Sequence, residues 1–132
     1  MDLTALHGYV IGFAIMASWL VIMVWALVLR LLRAEDTPVF WRAVSVAQIL
    51  LVVQLVVGIT LFLMGRVPGP AGGVGTVVFH LAYGVVFPLV VLVVGHGMAR
   101  AGRYRPHTVF AVVGLVNFAL ALRAWMVGIS GF

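Results

Sequence analysis

Cysteine and lysine are both absent from this chain of 132 residues. Without cysteine there are no disulfides, no thiolate metal sites, no iron–sulfur clusters and no covalent c-type heme attachment. Charge is scarce too. Only 8% of residues are charged, against roughly 25% in soluble domains. The three acids, Asp2, Glu35 and Asp36, all lie at an end or between apolar runs. There is no carboxylate dyad, no nucleophile–base pair, and no phosphate-binding loop joined to a strand. The chain therefore does not read as an enzyme of the soluble type, while a redox enzyme working through heme stays open. The embedded carboxylate that small four-span multidrug exporters need is missing as well.

Hydrophobic residues are abundant, at 65%. A soluble fold cannot hide that much apolar surface, so lipid is the natural solvent. A helix crosses the hydrocarbon in about 20 apolar residues, and four runs qualify, at about 3–32, 39–64, 74–99 and 107–130. They are too long and too uniformly apolar for barrel strands. The start at Met1–Thr4 has no basic n-region, so the first run reads as a retained span. The expectation is one all-α domain, an integral membrane four-helix bundle running up-down-up-down.

The eight basic residues are all arginine, giving a net charge of +5. Arg30, Arg33 and Arg42 flank the first connection, and Arg100, Arg103 and Arg105 the third. The second connection has only Arg66. By the positive-inside rule the two arginine-rich loops are cytoplasmic and both termini face outward. The basic charge therefore reads as membrane orientation rather than nucleic-acid binding, in a multi-pass plasma-membrane protein of the bacterial inner-membrane kind. Asp36 or Thr37 suits the cap of the second helix, with Pro38 in its first turn. The segment Pro68-Gly69-Pro70-Ala71-Gly72-Gly73 reads as an irregular outer loop.

Polar groups inside lipid are costly, so each needs a reason. His7 and His80 head the first and third runs. Those helices run parallel, which puts both imidazoles at similar depth. Paired neutral imidazoles in an apolar bundle suit a bis-histidine heme. Gly84 follows His80 by four residues, about 40° round a helix, and leaves room for a flat partner. The alternative is two interfacial histidines bonded to loops. Arg123, in the outer third of the fourth run, and Arg66 suit heme propionates or, equally, lipid phosphates. His96 lies about 160° round the helix from His80. With His107 at the same end it makes either a second, weaker site or a pair of interfacial residues. Gln54, with Gly58 one turn later, suits a close helix contact. Pro88 predicts a kink.

Three stretches carry a family resemblance. They are the His7 helix, then LLVVQLVVGITLF with Gln54 and Gly58, then VVFHLAYGVVFPLVVLVV with His80. Their order resembles a half-domain of the heme A synthase family, over about the first three spans. There a histidine opens one helix, Gln-x-x-x-Gly lies in the next, and a second histidine opens the one after. The resemblance implies that His7 and His80 are axial ligands and that Gln54 and Gly58 line or brace the pocket. The family has two such halves and places its remaining helix first. It also has an outer-loop acid and cysteines for synthase chemistry, which this chain lacks. Heme binding is therefore the expectation, rather than heme A synthesis.

The functional expectation is a small b-type cytochrome with non-covalent heme b, an electron carrier more than a complete enzyme. Its partners would be membrane lipid, a second copy or a larger respiratory complex, and a quinone or periplasmic redox protein. A cofactor-free accessory subunit is the alternative, and a small transporter or channel ranks third.

Overall fold

The structure is a computed structural model describing residues 2–70 and 72–131. Met1, at the start read as part of a retained span, Ala71 of the expected outer loop, and Phe132 lie outside the described residues. Four helices are long and apolar enough to cross a membrane: α1 (Leu3–Leu31), α2 (Pro38–Leu63), α3 (Val74–Arg100) and α4 (Pro106–Ser130). No strand occurs among the described residues. The helices begin and end within one residue of the apolar runs. Their length and hydropathy mark a multi-pass membrane protein. Valines and leucines stand exposed along all four, as a lipid solvent requires.

Local chemistry sets the boundaries. The Thr37 hydroxyl accepts the Phe40 N–H at 3.3 Å, and Pro38 opens α2. Asp36, the other possible cap, instead accepts the Trp41 indole N–H. At the N-terminus the Asp2 carboxylate accepts the Thr4 N–H at 2.7 Å, which holds its pKa below the usual value. Gly65 and Gly69 turn the chain after α2 at φ 75° and 79°, in the left-handed region that favours glycine. The Gly69 N–H then donates to the Gly128 carbonyl at 2.9 Å, tying this loop to the end of α4.

Contacts between distant residues give the topology. His7, Gly58, His80 and Gly128 meet at one end of the bundle. Arg30 and Thr108 meet at the other, with a 3.2 Å hydrogen bond. The helices therefore alternate in direction. The first end carries the described termini and the second carries the arginine-rich loops.

Packing is uneven around the bundle. α1 and α4 share the longest seam, α2 lies against α1, and α3 lies against α4. No seam of that kind joins α2 to α3. At the arginine end these two are linked by the Gln48 amide and the His96 ring, 2.7 Å apart. The α1–α4 seam is closest at Gly114. A Cβ there would lie 2.9 Å from the Met23 nitrogen and 3.0 Å from the Trp19 carbonyl oxygen. Only hydrogen fits, and its absence of bulk lets two backbones touch.

The buried core is concentrated in the arginine half. Trp19, Ala26, Phe40, Ala47 and Phe110 are fully enclosed. Edge-on aromatic contacts run from Trp25 to Phe40 (5.8 Å), on to Trp41 (5.4 Å) and to Phe110 (5.1 Å). Such pairs add about 0.5–1.5 kcal/mol each beyond their area.

Two wide turns interrupt the other half. Leu6–Ile11 in α1 and Ala82–Val86 in α3 are π-helical. Each has an evident cause. In α1 the His7 carbonyl accepts the Gly12 N–H, five residues on, and also the Gln54 side-chain amide at 3.0 Å. A side chain entering the ladder in this way loosens a helix. In α3 the wide turn lies just before Pro88, whose ring excludes the carbonyl of Gly84, four residues earlier. The expected distortion at Pro88 is thus a widened turn.

Candidate functional site

His7 lies inside the first wide turn, and His80 comes two residues before the second. Their ring centres are 6.2 Å apart and their planes are inclined by 49°. Each ring rests on a glycine of a neighbouring helix. A Cβ on Gly58 would come within 3.0 Å of His7 Cε1. One on Gly128 would come within 3.1 Å of His80 Cε1 and 3.2 Å of its Nδ1. Real Cβ contacts are seldom so short. Both imidazoles occupy space that only glycine leaves free.

Hydrogen bonding fixes one ring. His80 Nδ1 lies 2.9 Å from the Ala124 carbonyl. A carbonyl only accepts, so Nδ1 carries the proton and Nε2 keeps its lone pair. That is the usual state of a metal-binding histidine whose second nitrogen is oriented by a backbone oxygen. His7 is held differently, through its backbone, by the bond from Gln54. Its Nδ1 is buried with no hydrogen-bond partner, and so is the free oxygen of the Gln54 amide.

Both rings line a cavity of about 450 Å³ to which all four helices contribute. It occupies the half of the bundle away from the arginine loops and lies beside the gap between α2 and α3. Gln54, Gly58, Arg66 and Gly84 line it. Gly84 also abuts α4, where a Cβ would meet that of Ala124 at 3.6 Å. Trp125 belongs to the lining, and its indole nitrogen is buried without a partner. The walls are otherwise mostly apolar. This set can hold a flat, largely apolar group between two nitrogen ligands, with Arg66 available for an acidic substituent.

The structure places Arg123 outside this cavity. Its side chain is exposed and lies over the Tyr83 ring at 5.8 Å. The reason is angular. Ala124 faces His80, and its neighbour is turned about 100° away. Of the two expected roles for Arg123, an exposed side chain outside the lining suits lipid phosphates better than an acidic group in the pocket. His96 and His107 lie at the opposite end with separate partners. His96 meets Gln48 and packs on Phe110 at 5.1 Å. His107 is buried, with Nδ1 3.7 Å from Asp36.

Three participants escaped the sequence reading: Gly128, the Ala124 carbonyl and Trp125. Their signal lies in α4, where Ala121, Ala124, Trp125 and Gly128 recur at helical spacing on the cavity side. Compared with protein-family models, with curated proteins and with solved structures, the chain shows no match. What the structure defines is a bundle of four helices of membrane-spanning length, with two neighbouring imidazoles lining one cavity.

Proposed function

We propose that this protein is a small membrane b-type cytochrome that holds one heme between His7 and His80. The observation that carries the reading is the 6.2 Å separation of the two ring centres. Both rings line the same mostly apolar cavity, and two imidazoles this close would hold one heme and supply it with nitrogen ligands. The absence of cysteine makes the attachment non-covalent.

Bound heme supplies one-electron redox chemistry. The chain's residues then have distinct tasks. His7 and His80 are the ligands. Ala124 orients His80 and keeps its Nε2 free. Gln54 holds the His7 backbone in its wide turn. Gly58 and Gly128 leave room for the rings. Arg66 and the Trp125 N–H supply donors for propionates. With the arginine loops on the cytoplasmic side, the site lies in the outer half of a bacterial plasma membrane. That depth suits a quinone or periplasmic redox partner, within a homodimer or a larger respiratory complex.

The test is the oxidised and dithionite-reduced absorption spectrum of detergent-purified protein from heme-replete cells. A sharp low-spin b-type α-band is expected. His7→Ala and His80→Ala should each remove most of the bound heme. A flat spectrum from wild-type protein, or bands indifferent to both substitutions, would overturn the proposal.

A further inference from the structure

The end of the bundle opposite the histidines has a second concavity, of about 570 Å³. Four arginines line it, Arg30 and Arg33 from the end of α1 and Arg103 and Arg105 from the turn before α4. Tyr104 and Thr108 add hydroxyls. The Arg30–Thr108 hydrogen bond, at 3.2 Å, ties its two walls together.

Three further features point to an anion. The concavity lies at the start of α4, a helix of 25 residues whose cap position, Arg105, makes no side-chain cap. Pro106 has no N–H, and the Thr108 and Val109 N–H groups bond the Arg105 carbonyl, so what the helix start offers an anion is its positive dipole end. His107 lines the same space and is 1% exposed, and neither ring nitrogen has a hydrogen-bond partner. A buried polar group without a partner is costly, and the Asp36 carboxylate, 3.7 Å from Nδ1, is beyond hydrogen-bond distance. Arg33 has φ 53°, the one non-glycine residue in the left-handed region among those described. Glycine is the usual residue at such a helix end. The position bears a guanidinium instead, at a cost in backbone energy.

The opposing charges are few. Glu35 approaches Arg105 at 4.0 Å on the exposed rim, and Asp36 lies 3.7 Å from His107. Four guanidiniums thus face two carboxylates. Guanidinium forks and hydroxyls donate hydrogen bonds, and a phosphate accepts through several oxygens at once. We propose that this concavity is a binding site for a phosphate group, carried by an anionic lipid headgroup or free in solution.

The experiment uses the full chain in detergent. Native mass spectrometry measures retention of phosphatidylglycerol from micelles containing excess phosphatidylcholine. A parallel titration with inorganic phosphate is followed by thermal unfolding. The variants are Arg33→Gly, which relieves the backbone while removing the cation, and Arg103→Gln in the loop. Each should weaken binding about fivefold, and Arg33→Gly should leave the unliganded unfolding midpoint unchanged or higher. The controls are Arg42→Gln and Arg100→Gln, at the same end but outside the concavity. Arginine-dependent retention of phosphatidylglycerol alone identifies the lipid as the source. The same dependence with inorganic phosphate identifies a free anion. Equal losses in the controls would reduce the effect to bulk surface charge and overturn the site. So would failure of the wild-type chain to bind either probe.

Discussion

The two halves of this bundle use glycine in opposite ways. In the arginine half, Gly114 removes a side chain so that α1 and α4 can touch backbone to backbone, and buried aromatics pack around the seam. In the other half, Gly58 and Gly128 remove side chains so that two imidazoles can stand in the space. The first use produces a continuous buried core. The second, with two wide turns, produces a cavity. A small residue therefore tells little about its role until its neighbour is known. Against backbone it makes a seam, and against a polar ring it makes a site.

Substitutions sharpen this contrast, beginning with the largest stability effect. Gly114→Val drives atoms into the backbone of Met23 and Trp19 and should destabilise the chain by about 1–3 kcal/mol, read as a lower unfolding midpoint in detergent. Wild-type stability in this variant would mean that the α1–α4 seam can shift, contrary to the close approach described. Gln54→Leu removes the bond to the His7 carbonyl and should lose about 0.5–1.5 kcal/mol, with a broadened distribution of His7 orientations in spectra of the heme-loaded protein. Gly128→Ala should barely move the midpoint, because the atom it meets belongs to a side chain. It should nevertheless displace His80 and alter the ligand-field spectrum, and an unchanged spectrum would detach Gly128 from the site. Arg123→Gln should change heme content least of all, measured as the heme-to-protein ratio, since Arg123 is exposed and does not line the cavity.

Much of this fold is legible in sequence because lipid imposes a length rule. The apolar runs and the helices coincide to within a residue, and the loops hold glycine, proline and arginine where turns require them. The histidine pair is legible for the same reason: in an alternating bundle, the heads of the first and third runs share an end. What is not legible is which face of each helix looks inward. In water, a polar face marks the outside. Here both faces are apolar, and the periodic signal that orients a soluble helix is lost. Depth alone leaves Arg123 open between the pocket and the lipid headgroups, because its angle round the helix is not legible. Gly128 sits near a chain end and resembles any loop-adjacent glycine. The wide turns at Leu6–Ile11 and Ala82–Val86 depend on a distant glutamine and on a local ring clash, which a uniform helical wheel does not contain.

The missing seam between α2 and α3 also bears on how a large flat molecule gets in. These two helices resemble the covers of a book whose spine is the α1–α4 pair, with the Gln48–His96 bond as a clasp near one edge. If the cavity takes a planar guest as proposed, the open side between these helices offers a sideways route from the hydrocarbon that avoids the aqueous loops, and opening it would leave the α1–α4 spine intact.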